Sequence, residues 1–154
     1  MSRALVLACG NSLRGDDGVA LQIMNHLQKA GCDPAAEFHC QQQWTPELAE
    51  PISQAEIVVF VDAALGRPPG AVVCRQLQPR QSTSLGITHH SSSESLLLLA
   101  EDLYGRRPAR AYLVTIAGGA FELDENLSDP VRRAIPEAGE LIKALLMGIT
   151  VTEN

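Results

Sequence analysis

The sequence has no surplus of basic residues. Twelve Lys and Arg stand against eighteen Asp and Glu, for a net charge of −6, and Arg106-Arg107 is an isolated pair, so a nucleic-acid binder working through a basic surface is excluded. No stretch approaches the length of a membrane span, and the N-terminus carries no positively charged leader followed by a long apolar core. A cytoplasmic protein with neither a membrane nor a nucleic-acid partner is therefore expected. The four cysteines, Cys9, Cys32, Cys40 and Cys74, contain no C-x-x-C pair. This removes a zinc ribbon and a thioredoxin-like redox site, and in such a compartment the thiols are expected to be reduced. Also missing are an H-E-x-x-H helix, a G-x-S-x-G elbow, an internal repeat and a low-complexity linker, so ordinary zincin and α/β-hydrolase mechanisms have no support. With 154 residues, 45% of them hydrophobic, the chain suits one domain, residues 1–154, large enough to bury its own core.

What is present centres on Cys9-Gly10-Asn11-Ser12-Leu13-Arg14-Gly15-Asp16-Asp17-Gly18, which follows the apolar run Ala4 to Ala8 and precedes apolar residues at helical spacing, Ala20, Ile23, Met24 and Leu27. The pattern reads as strand, loop and helix. In an open α/β sheet, the loop leaving the carboxyl end of a strand is where ligands bind, which puts Asp16 and Asp17 at a candidate site. Capping of the helix is the plain alternative for them. The glycines do not fit G-x-G-x-x-G, no Gly-Lys-Ser/Thr follows, and two carboxylates at a helix start repel a phosphate. A cation suits the pair better. Cys9 beside the loop is a possible nucleophile, although the sequence assigns it no base.

Along the chain, strands are predicted over 3–8, 36–41, 56–61, 71–77 and 110–116, the fourth antiparallel because its connection through Arg67-Pro68-Pro69-Gly70 is short. Helices are predicted over 17–30, ended by Gly31, and over 46–54, with Thr45 as N-cap and Pro46 at the first position. A third begins just after Ser91, where Ser91 and Glu94 have capping-box spacing. A last helix follows Ser128 as cap, with Pro136 dividing a short piece from a helix over about 136–147 that Gly148 ends. Asp62 directly follows the third strand, level with the loop after the first. His89 and His90 stand just before the third helix, in the kind of loop that carries function on a rigid scaffold. Ala117-Gly118-Gly119 is a flexible turn suited to a cleft rim, and Trp44 reads as partly buried packing. Alternating strands and helices imply a three-layer α/β/α domain, a five-stranded, mostly parallel mixed sheet with one antiparallel strand and helices on both faces.

The string Gly-Asn-Ser-Leu-Arg-Gly-Asp-Asp-Gly, placed right after a first strand, resembles the N-terminal signature of the hydrogenase maturation proteases, the endopeptidases that trim the C-terminus of the large-subunit precursor of nickel-iron hydrogenases. That family also places an Asp at the end of its third strand and a His just before a later helix, positions that Asp62 and His90 match. The resemblance implies the same three-layer, phosphorylase/hydrolase-like fold and makes Asp17, Asp62 and His90 the catalytic and metal-contacting residues. His89 is one register step away. The metal it implies is nickel already carried by the precursor, read as a recognition signal, with no organic cofactor; a monomer is a separate expectation, which the sequence itself does not identify. The chain departs from the family at the end of the second strand, where an Asp-Gly-Gly-like element is replaced by His39-Cys40-Gln41-Gln42-Gln43-Trp44. The role of that aspartate does not carry over, so either the metal or a remaining carboxylate must activate water. Two other classes stay open: a non-catalytic factor that checks nickel or holds the precursor, and a small-ligand or nucleotide enzyme using the same loop.

Overall fold

The structure, a computed structural model, describes residues 3–31, 36–78, 92–124 and 126–148. Strand β1, Ala4–Cys9, is buried throughout, and successive side chains leave a strand on opposite faces. Val6 and Ala8 therefore join one core while Leu5 and Leu7 join another. Strand β3, Ile57–Ala64, divides in the same way, with Val59 and Val61 on the first face and Val58 and Phe60 on the second. Such continuous apolar runs mark strands covered on both sides. With β2 (Ala36–Gln41), β4 (Val72–Gln76) and β5 (Arg110–Ala117) they form a sheet of order β2-β1-β3-β5-β4, parallel except for β4 against β5. Helices α1 (Val19–Lys29) and α4 (Asp129–Leu146) cover the first face; α2 (Ala49–Gln54) and α3 (Ser93–Tyr104) cover the second. The expected α/β/α architecture is present.

From β1 the chain passes to one side to make β2 and then to the other to make β3. The carboxyl ends of β1 and β3 thus flank the point where the strand order reverses, the crevice that open α/β sheets use for ligands. Register brings Cys9 of β1 opposite Asp62 of β3, and Asp62 opposite Thr115 of β5. Asp62 does not follow the strand, as the sequence suggested. It lies inside β3, because pairing with β5 continues to Ala64 and Ala117. The short connection to β4 does give an antiparallel strand, but β4 pairs with β5 and not with β3. The edge of β3 is already occupied by β5, and the intervening turn is pinned there by bonds from the Gly70 N–H to the Ala117 carbonyl (2.8 Å) and from the Ala117 N–H to that of Ala71 (2.9 Å).

The helices after β2, before β5 and at the end of the chain each differ from expectation in a start or an interior. The segment 46–54 begins with a 3-10 turn, Pro46–Leu48, before α2. Pro51 lacks the N–H that would reach the Glu47 carbonyl in a regular helix, which favours the tighter first turn, and Thr45 contributes no side-chain cap. The cap of α3 is Ser92, one residue later than Ser91, with its Oγ accepting from the Ser95 N–H at 3.0 Å. Glu94 is then released from capping and pairs with Arg75 at 3.0 Å. Finally, α4 runs unbroken through Pro136. Val131, Ala134, Ala138, Ile142 and Leu145 form one buried stripe on both sides of the proline, so burial holds the helix together across the missing hydrogen bond.

That bond is recoverable. Pro136 is exposed, so Pro136→Ala should restore an N–H donor to the Arg132 carbonyl without opening a cavity. The expected gain is about 2 kcal/mol, or roughly 4–8 °C in thermal melting, after allowing for the more flexible unfolded chain.

Candidate active site

The loop after β1 is built by close backbone approaches that explain its glycines. A Cβ on Gly10 would collide with the Asp17 carbonyl, and Gly15 combines a φ of +56° with a backbone so near the Ala120 carbonyl that no side chain fits. Asn11 organises the turn between them: its Oδ1 accepts from the Leu13 N–H at 2.9 Å and its carbonyl from the Arg14 N–H at 3.1 Å. The second half is laced to the loop after β5. The Gly15 N–H donates to the Asp124 carbonyl (2.7 Å), the Asp16 N–H to that of Ala120 (2.7 Å) and the Asp124 N–H to that of Leu13 (3.0 Å). A 3-10 turn, Gly15–Gly18, then leads into α1, which has no side-chain cap.

Neither aspartate caps that helix, and the two are put to different uses. Asp16 is fully buried. Its Oδ2 accepts from the Gly119 N–H (2.8 Å), the Ala120 N–H (2.9 Å) and the Ser128 hydroxyl (2.9 Å), and its Oδ1 from the Ser128 N–H (2.7 Å). Burial alone would raise its pKa. The N–H groups of Gly119, Ser128 and Ala120, with the Ser128 hydroxyl, outweigh that and hold the carboxyl below its usual range. Ser128, expected to cap α4 with its side chain, gives its hydroxyl to Asp16 instead. This clamp was not read from the sequence, because its partners lie more than 100 positions away; the available sign was two adjacent acids of which a cation site needs one.

Asp17 is half-buried, and its Oδ2 accepts from the Asn11 N–H at 3.0 Å. By alternation, Cys9 and Asp62 share the face of Leu5, Leu7, Val58 and Phe60, so these register partners meet at the carboxyl edge of the α2/α3 side. Burial raises the Asp62 carboxyl most; a bond from the Ala63 backbone opposes this, and the Asp17 charge adds to it, leaving a pKa moved from 3.8 to about 7. Burial, then the charges of Asp62 and Asp17, push the Cys9 thiol up to about 12 against a bond from the Trp44 backbone. A thiol so placed stays protonated, which overturns Cys9 as a candidate nucleophile; it donates to the Gln42 carbonyl at 3.4 Å. Trp44 packs edge-on against Phe60, ring centres 5.3 Å apart, in the packing role read for it. Cys9, Cys40 and Cys74 form no disulfide.

Two of the three sequence-predicted residues, Asp17 and Asp62, are therefore electrostatic neighbours at the switch point of the sheet. His90 and His89 lie outside the described residues. Among the described residues no three His, Cys, Asp or Glu side chains form a group able to hold a metal ion. The carboxylate pair offers hard oxygen donors and an incomplete shell, suited to touching a cation that other ligands already hold.

Two substitutions separate the acids. Asp16→Asn places an amide among four donors and should lower stability by about 3 kcal/mol, whereas Asp17→Asn should cost less than about 1 kcal/mol; denaturant melts measure both. Asp62 has its folded pKa raised, so the folded state binds the extra proton between pH 3.8 and about 7. Its stabilising contribution is complete below that window and is lost as pH rises through it. Melts of the metal-free protein from pH 4 to 8 should show the decline, and Asp62→Asn should flatten it.

No protein-family model matches the chain. It is 29% identical over 138 residues to protein FrxA of Pyrococcus furiosus, spanning 86% of this chain and 96% of that protein. Its fold matches the hydrogenase maturating endopeptidase HybD from E. coli with a TM-score of 0.77 at 21% identity, covering 95% of this chain and 93% of that one. It also matches the [NiFe] hydrogenase maturation protease HybD from Thermococcus kodakarensis at a TM-score of 0.66 and 25% identity, over 93% and 98% of the two chains. In the loop that follows its first strand and in its fold over nearly the whole chain, the protein resembles the hydrogenase maturation proteases.

Proposed function

We propose that this protein is an endopeptidase that removes a C-terminal peptide from the precursor of a nickel-iron hydrogenase large subunit, with nickel in that precursor as the recognition signal. The observation that carries the reading is the coupling of Asp17 and Asp62 at the switch point, on a fold shared with the hydrogenase maturation proteases. In this reading Asp17, Asp62 and His90 contact the nickel as outer ligands, and the metal arrives with the substrate. The free protein holds a proton on Asp62 up to about pH 7. Contact with a cation favours the carboxylate and releases that proton. The carboxylate so formed can accept a proton from water at the neighbouring peptide bond through the oxygen that does not face the cation. Asp16, committed to four internal donors, takes no part.

The test is incubation with nickel-loaded and nickel-free precursor, followed by intact mass. Loss of one fixed C-terminal peptide from the loaded form alone is the expected result; retention of both masses with a stable complex would assign a precursor-binding factor instead. Asp17→Asn, Asp62→Asn and His90→Ala should each lower processing by about a hundredfold or more, with double variants little worse than singles, because groups acting on one cation are not additive. His89→Ala should retain activity.

A further inference from the structure

The carboxyl ends of the central strands form one row. Cys9 of β1 pairs in register with Asp62 of β3, and Asp62 with Thr115 of β5, whose other neighbour is Val73 of β4. Register partners point to the same side of a sheet. On β5 the alternation puts Thr115 on the face of Ala111 and Leu113, the α2/α3 side that Cys9 and Asp62 share. Neighbouring strands lie about 5 Å apart, so Thr115 stands beside Asp62 and beside whatever Asp62 touches. It is half-buried, and among the described residues its hydroxyl has no hydrogen-bond partner. A valine would fill the same space and suit the strand equally well, which leaves the hydroxyl without a structural task.

Attack on a peptide bond places negative charge on its carbonyl oxygen, and a donor aimed at that oxygen lowers the barrier. The other donors around Asp62 are already committed. The Gly118 N–H is bonded to the Ala64 carbonyl at 2.9 Å, the Gly119 and Ala120 N–H groups to Asp16, the Asn11 N–H to Asp17 and the Cys9 thiol to the Gln42 carbonyl. Val73 has no side-chain donor. Arg14 and Arg67 are exposed, in loops beyond the strand ends and outside the row. Asp17, fastened to Asn11, lies on the β1 side of Asp62, so a cation touching both carboxyls leaves the β5 side to the substrate. Building on the proposed function, we infer that the Thr115 hydroxyl donates to the carbonyl oxygen of the peptide bond being cut while Asp62 accepts the proton of the attacking water. The water oxygen bonds to the carbonyl carbon, its proton passes to Asp62, and the carbonyl electron pair moves to the oxygen that Thr115 holds. Collapse then breaks the C–N bond, and the proton on Asp62 leaves with the amine. The hydroxyl binds the charged oxygen more strongly than the neutral one, an effect that appears in kcat and not in KM.

The experiment is steady-state processing of nickel-loaded precursor by wild type, Thr115→Val, Thr115→Ser, Arg14→Ala and Arg67→Ala. Thr115→Val should lower kcat about a hundredfold with KM within about twofold of wild type. Thr115→Ser, which keeps the hydroxyl, should hold kcat within roughly fivefold, and both arginine variants should keep the wild-type kcat. The acid limb of kcat/KM against pH should coincide in Thr115→Val and wild type, because the hydroxyl serves the peptide bond and not the Asp62 carboxyl. Thermal melts should show both threonine variants folded. With a wild type that cleaves, an unchanged kcat in Thr115→Val overturns the Thr115 assignment alone. So does a loss that Thr115→Ser shares in full, a displaced acid limb, or a fall in kcat in an arginine variant as large as that expected of Thr115→Val. A wild type that leaves the nickel-loaded precursor intact overturns the functional reading and the Thr115 assignment together.

Discussion

The carboxylate of Asp16 ties together three stretches that are remote in sequence: the loop after β1, the turn after β5 and the entry to α4. Four donors converge on this fully buried carboxylate, and without it they would lose a charged acceptor. Charge-assisted bonds of this kind fix orientation as well as energy. Because Asp16 is spent inward, the next residue is presented at the sheet edge, and the position of Asp17 is inherited from its neighbour. Two adjacent acids thus have opposite fates: one is held ionised by donors that point at it, and the other is left available to a ligand.

The same edge carries a cost that the fold does not relieve. Asp62 sits within β3, just past its fully buried stretch, with one backbone bond and a like charge nearby, and its proton is held well above the ordinary range. A purely structural carboxyl would be expected to acquire partners, as Asp16 did. A group kept this way is a common mark of a functional site, since an incoming cation supplies the missing partner. Cys9 shares the environment with the opposite result. Burial first, and then the neighbouring carboxylate charges, raise both groups, leaving a carboxyl with a pKa of about 7 beside a thiol held protonated.

Much of the scaffold was legible in the sequence because it rests on local signals. The β-branched run Ile57 to Val61 and the apolar run Ala4 to Ala8 mark buried strands by composition alone, and Gly31 and Gly148 end their helices. What failed depends on distant partners. Asp62 falls inside β3 because β5 extends the pairing, and the place of β4 beside β5 depends on which edge of the sheet remained free. Pro136 was overruled by a buried stripe that crosses it. At the site, the glycine loop and the Asp17–Asp62 pair were readable from strand ends; the roles of Asp16 and Ser128 were not, since a bond across more than 100 residues leaves no spacing to detect.

The end of β2 shows where this chain differs in its chemistry. Many hydrogenase maturation proteases carry an acid there, and here the segment is His39-Cys40-Gln41 followed by Gln42. Its contribution to the edge is made by backbone: the Gln41 carbonyl accepts from the Gly10 N–H at 2.9 Å and the Gln42 carbonyl from the Cys9 thiol. Those bonds need no particular side chain, so the strand can hold the first loop in register while supplying no acid. Under the proposed function, with Asp16 committed to internal donors, the carboxyls that would handle a proton beside the switch point are Asp17 and Asp62. Burial first, and then the Asp17 charge, raise the Asp62 pKa to about 7, so in the proposed reading β3, at the centre of the sheet, carries the part that an edge-strand acid would otherwise share.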